Sequence, residues 1–128
     1  MHRTKLAFAA HAIIETAAGI SFIAKPEAQL PGCSPAAKLI LRQYGALLLA
    51  SSLVCVAVIT DPDVDGTTRL LALALGSYHF WPCHRAYLRL RNGTSSADEP
   101  SALGGPLLHL VVHLACLGLF AYAAASIP

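Results

Sequence analysis

Apolar residues gather in four long stretches, and the breaks between them are short and polar. The first, Leu6 to Ala24, runs 19 residues without Lys, Arg, Asp or Pro. As a helix it would span roughly 28 Å, about the hydrocarbon thickness of a bilayer. Further stretches run from about residues 39 to 60, 69 to 90 and 106 to 127. Pro26, Pro31, Gly32 and Pro35 punctuate the first connection, the acidic run from Asp61 to Gly66 makes the second, and the polar segment 91–105 makes the third. Short links between spans imply antiparallel neighbours. The pattern therefore predicts an all-α protein, a four-helix transmembrane bundle of up-down antiparallel topology, in one domain covering residues 1–128.

Local signals refine this reading. Pro35 and Pro106 suit the first turn of a helix, where the missing N–H costs nothing. Lys38 and Arg42 stand where the second span begins, and long basic side chains there can snorkel to the headgroups. The third stretch is the least apolar, mixing Ser77, Tyr78, His79, Trp81, His84 and Arg85. Pro82 is expected to kink it, because it has no N–H to give to the carbonyl of Tyr78. Trp81 and Tyr87 suit an interfacial belt. The acidic turn superficially matches a calcium loop but lacks the twelve-residue spacing and its bidentate Glu, so it reads as a solvated hairpin.

Composition narrows the class. The chain is 55% hydrophobic and 12% charged, with mean hydropathy +0.58, where soluble domains carry about a quarter charged residues. A net charge of +2, well dispersed, gives no reason to expect nucleic acid. Cys33, Cys55, Cys83 and Cys116 form no C-x-x-C pair, which speaks against a disulfide framework or thiol-redox site. Cys55 and Cys116 lie in apolar runs and read as small buried hydrophobes. His2, Arg3 and Lys5 would serve as the basic region of a cleaved signal peptide. The length of the first stretch, its His11 and Glu15, and three further spans favour a retained anchor. Lys25, Lys38, Arg42, Arg85, Arg89 and Arg91 fall on one side of the bundle against Arg3, Lys5 and Arg69 on the other. The bias places both termini on the lumenal or external side of an endoplasmic-reticulum or other endomembrane. The sequon Asn92-Gly93-Thr94 would then stay unmodified.

The candidate chemistry lies inside the spans. A charged carboxylate at the depth of Glu15 would cost about 3 kcal/mol on insertion scales, so Glu15 should be protonated, paired or turned to a wet interior. His11 precedes it by four residues, on the same helical face. Counting from span ends puts Glu15 and His113 near mid-membrane, His79 slightly to the cytosolic side, and His109, His84 and Arg42 nearer the cytosolic edge. His11 falls in the opposite half. Helical spacing lines up His109, His113, Cys116 and Phe120 on the fourth span, Gly76, His79 and Cys83 on the third, and Tyr44, Leu48, Ser51 and Cys55 on the second.

If these faces converge, the interior holds a carboxyl, imidazoles and a phenol, a set able to move protons, hold a metal or haem, or receive the polar head of a lipid-like molecule. The plainer alternative is that Glu15 and the histidines only fix helix register, at about 0.6 kcal/mol per hydrogen bond. His109 and His113 have metal-ligand spacing, with Glu15 or His79 as a third donor, and His79 with His113 would suit a bis-histidine haem. With no H-E-x-x-H motif or Cys cluster, the sequence assigns neither metal nor cofactor.

Four segments, residues 11–32, 41–51, 77–86 and 104–113, resemble a family of small four-span integral membrane proteins of filamentous fungi, similar to DoxX-like and domain-of-unknown-function membrane proteins. The resemblance implies a fold and a compartment and transfers no catalytic residue. The pair His11 and Glu15 is also similar to the acid-histidine constellation of sterol-isomerase-type membrane proteins.

The leading expectation is a membrane protein that binds a lipophilic small molecule between its helices. In enzymatic form it would be an isomerase or cyclase of a terpenoid or polyketide in secondary metabolism. Glu15, His113, His79 and His11 are its candidate acid/base residues, and Arg42, Tyr44, Trp81 and His109 its candidate ligand contacts. The competing expectation is a non-catalytic accessory subunit. Gly19, Gly45, Gly76 and Gly118 offer small surfaces for contacts within one bundle or in a homo-oligomer.

Overall fold

The computed structural model describes residues 3–92 and 105–127, which are helical almost throughout and contain no strand. The elements are α1 (Lys5–Ala24), a one-turn α2 (Pro26–Gln29), α3 (Pro35–Thr60), α4 (Gly66–Tyr78), α5 (Phe80–Arg91) and α6 (Gly105–Ser126). Among the described residues, α1, α3 and α6 are long and apolar enough to cross a membrane. The sequon's Gly93 and Thr94, and most of the polar segment around them, lie outside the described residues.

Caps explain why two helices start earlier than the apolar pattern indicates. Ser34 Oγ accepts from the Ala37 N–H at 3.2 Å and Pro35 occupies the first turn, so α3 begins four residues ahead of Leu39. Lys38 then pairs with Glu27, tying α2 to α3, and that contact holds the Glu27 carboxyl below the usual carboxylate range. At α4, Asp65 Oδ1 accepts from the Thr68 N–H at 3.0 Å, and Thr68 lies 3.4 Å from the Asp65 N–H in the reciprocal bond of a capping box. The acidic turn thus doubles as a helix start.

The third stretch departs from expectation: it is two helices meeting at His79, not one helix over 69–90. Pro82 has no N–H for the Tyr78 carbonyl. The His79 N–H turns instead to the Gly76 carbonyl at 3.1 Å, and the helical path resumes where Cys83 N–H meets the His79 carbonyl at 3.2 Å. At 13 and 12 residues, α4 and α5 are each shorter than the ~20 residues a crossing needs.

The tightest packing joins α1 to α3. A Cβ added at Gly19 would sit 2.8 Å from the Gly45 carbonyl oxygen, and one at Gly45 would sit 2.7 Å from that of Gly19, so the two backbones touch. Further along, Ser52 Oγ lies 3.4 Å from the Ala12 carbonyl, and the Lys5 ammonium donates to the carbonyls of Ile59 and Asp61 at the end of α3. These contacts run in opposite chain directions, so α1 and α3 are antiparallel. A cation on the last carbonyls of a helix is favoured by its dipole.

Helix α6 packs on α4, α5 and α1. Phe120 meets Phe8 edge-on at 5.3 Å, and a Cβ at Gly76 would stand 3.0 Å from Phe120. Around them Ala7, Cys55, Val58, Ala72 and Ala123 close one end of the molecule into a dense core. At the other end the buried cluster is the smaller one of Ala18, Phe22 and Leu48, with Tyr44 and Tyr78 against it. The protein is packed at one end and hollow at the other.

Two outcomes follow from this packing. Gly45→Leu should lower the thermal midpoint in detergent, as expected of overpacking worth about 1–3 kcal/mol. Gly118→Ala, where an added Cβ meets nothing within 4 Å, should leave it unchanged or raise it. Hydrogen bonding from the Thr68 amide holds the Asp65 carboxyl below its usual range. Its cap therefore stabilises α4 fully above an unfolded-chain value of about 4, and that contribution disappears as pH falls through the lower folded value. Amide exchange at Thr68 should accelerate in that acidic window in the wild type and should be fast at all pH values in Asp65→Ala.

Candidate functional site

Polar side chains from four helical segments meet where the packed and hollow ends join. His11 comes from α1, Ser51 from α3, His79 from the α4–α5 break and His113 from α6. His11 Nε2 lies 3.1 Å from Ser51 Oγ, His11 Nδ1 lies 3.1 Å from His79 Nε2, and His79 Nδ1 lies 2.7 Å from His113 Nδ1. All three imidazoles are buried, His79 completely. Phe120 stacks on His79 at 5.8 Å and meets His11 edge-on at 5.5 Å, so the dense core forms one wall of the row.

Donor bookkeeping assigns the protons. Ser51 Oγ donates to the Leu48 carbonyl at 2.8 Å and so accepts from His11 Nε2–H. His11 Nδ1 is then an acceptor and takes the His79 Nε2–H. His79 Nδ1 in turn takes the Nδ1–H of His113. The row is a neutral chain of donors running His113 to His79 to His11 to Ser51, and it leaves His113 Nε2 with a lone pair.

Glu15 sits one turn beyond His11 on α1 and is 1% exposed. Tyr78 OH donates to its Oε2 over a long 3.5 Å, and Tyr44 and Tyr78 share a 2.6 Å hydrogen bond. Its other oxygen, Oε1, is buried and has no hydrogen-bond partner among the described residues. Leaving such an atom unsatisfied costs about 1–3 kcal/mol.

Glu15 lines a cavity of about 650 Å³ in the hollow end. Its polar lining is Glu15, Tyr44, Tyr78, Arg85, His109 and His113, and most of the remaining wall is aliphatic, including Ile14, Leu48 and Val112. Ile13, Ala17, Trp81 and Leu108 line it and are also exposed, so it opens to the surface between α1 on one side and α5–α6 on the other. At the rim Arg85 Nη2 donates to His109 Nε2 at 3.3 Å, and the His109 and His113 rings lie 4.3 Å apart.

The candidate acid/base residues Glu15, His113, His79 and His11 are thus brought together, and Tyr44, Trp81 and His109 line the cavity beside them. Arg42 is a correction: it is exposed and outside the cavity wall. Two residues before Tyr44 on a helix, it is turned about 200° away from the face Tyr44 presents. Arg85 supplies the guanidinium instead. It stands seven residues after Tyr78, two helical turns on, and that spacing was the available signal. His11 and His79, placed in opposite halves by depth counting, are in contact, with His11 Nδ1 3.1 Å from His79 Nε2. Tyr78 was passed over beside His79, and Ser51 was placed on the right face without a partner.

No family model, curated protein or solved structure matches this chain. Tyr78→Phe, which strips Glu15 of its donor and Tyr44 of its partner, should destabilise the protein by about 1 kcal/mol. Tyr122→Phe, at an exposed position, should not. Thermal unfolding of both variants in the same detergent checks the difference.

Proposed function

We propose that this chain lies in the membrane as a four-helix up-down bundle, with α4 and α5 together making the third crossing, and binds a lipophilic molecule in the hollow end. The observation that carries the reading is the buried, unpartnered Glu15 Oε1 on the wall of a largely apolar cavity open to the surface. A ligand whose polar end hydrogen-bonds Glu15 would satisfy that oxygen, and its hydrocarbon would lie along Ile13, Ala17 and Val112 towards the lipid. The resemblance to small four-span fungal membrane proteins belongs to this proposal, as does placement in an endomembrane.

Antiparallel contacts between α1 and α3 and between α6 and its neighbours support the topology. Lys25, Lys38, Arg42, Arg85, Arg89 and Arg91 all belong to the hollow end, which on the positive-inside rule faces the cytosol and leaves both termini lumenal or external. Asn92 should accordingly remain unglycosylated in a eukaryotic membrane. A glycan there would reverse the orientation.

The same site supports proton-transfer chemistry on the bound molecule. A carboxyl and an imidazole on one cavity wall can divide the donor and acceptor roles, as isomerisation or cyclisation of a terpenoid or polyketide requires. Ala17→Trp, which fills the mouth, should abolish retention of co-purifying lipophilic material measured by extraction and mass spectrometry. Glu15→Gln should weaken it at least tenfold while the protein stays folded. Unchanged retention in both variants, with Glu15→Gln lowering only thermal stability, would reduce the polar residues to a role in helix register.

A further inference from the structure

We propose that His11, Glu15 and His79 form a binding site for a divalent first-row transition metal at the floor of the cavity. All three are buried, and one ligand atom from each lies within 4.8 Å of the others. His11 Nδ1 and His79 Nε2 are 3.1 Å apart. Two ligands on one tetrahedral ion, at bonds of ~2.0–2.1 Å, stand roughly 3.3 Å apart, so the nitrogens already have the spacing of a shared ion. Glu15 brings a carboxylate oxygen within 4.8 Å of both nitrogens, and its Oε1 has no other partner among the described residues.

The surroundings fit as closely as the ligands. A metal-bound imidazole almost always has its other ring nitrogen held by an outer partner, which fixes the ring's orientation. Here the far nitrogen of His11 is held by Ser51 and that of His79 by His113, while Tyr78 steadies the second oxygen of Glu15. Two histidines and a carboxylate leave coordination positions open, the set used by zinc hydrolases and by non-haem iron sites. Glu15 is on the cavity wall, so an open position there would face bound ligand.

Loading the ion rearranges protons along the row. With His79 Nε2 on the metal, its proton resides on Nδ1 and is donated to His113 Nδ1, and the His113 proton moves to Nε2. His113 changes from acceptor to donor at its remaining nitrogen, so metal occupancy sets what the cavity floor offers. Glu15 is common to this site and to the ligand-binding reading, but His11 and His79 are outside the cavity lining, and they separate the two.

The test uses the full chain, purified in detergent with any polyhistidine tag removed, stripped of metal and titrated with Zn²⁺ and with Co²⁺. Wild type should bind one equivalent, and the cobalt form should show visible d–d absorption. His11→Gln and His79→Gln, each checked for retained helix content by circular dichroism, should abolish both. Ser51→Ala, a milder change, should weaken Zn²⁺ binding 10–100-fold. Nitrogen-15 spectra of the histidine rings should show His113 Nε2 become protonated on metal addition. Folded wild type that binds neither ion, or binding unchanged in His11→Gln, His79→Gln and Ser51→Ala, would overturn the site, whatever the fate of the ligand-binding reading.

Discussion

His79 is the residue on which the interior depends, because it hydrogen-bonds through both ring nitrogens to two other helices. His11 of α1 takes one side and His113 of α6 the other. The residue stands between two helices that Pro82 keeps from being one. In a continuous helix the same ring would be one position on a stripe. At the break it occupies a point that both partners can reach. The disruption of α4–α5 and the order of the polar row are therefore one arrangement.

Around that point the molecule divides. Below it, Phe8, Phe120 and their small neighbours fill space and shield the row on one side. Above it, side chains no longer meet across the middle, and the gap is walled by aliphatics with a polar floor and a basic rim. A polar row between a dry core and an apolar cavity has no bulk water to complete its hydrogen bonds, so its members must satisfy one another. They do so at the ring nitrogens in the His11–His79–His113 contacts, leave His113 Nε2 with a lone pair, and fail at the buried Glu15 Oε1. The unmet Glu15 oxygen is common to the ligand-binding proposal and the metal proposal.

Much of this was legible in the sequence, for identifiable reasons. Hydropathy and Pro/Gly punctuation carry the all-helical class and the approximate extents of α1, α3 and α6, because apolar length and turn residues are local properties, but they count the third stretch as one helix where there are two. That Glu15, His79 and His113 would share the interior was legible because polar residues in apolar spans have few tolerable places to go, whereas depth counting set His11 apart from them. What was hidden depends on geometry between elements. Arg42 and Arg85 are equally basic and similarly deep, and only the helix facing distinguishes them. The Pro82 signal located the disruption but not that His79 would sit at it. The reciprocal cap of Asp65 and Thr68, which starts α4 at Gly66, straddles the edge of a turn read as a solvated hairpin.

The glycine seam between α1 and α3 bears on how anything enters the cavity. Two helices in backbone contact, locked further by Ser52 and Lys5, have little freedom to separate. Helix α5 has no comparable seam with α1 and contributes Trp81, Arg85 and half of the mouth. The α1–α3 side of the cavity is therefore fixed by backbone contact, whereas across the mouth α5 meets α6 through side chains such as Arg85 on His109.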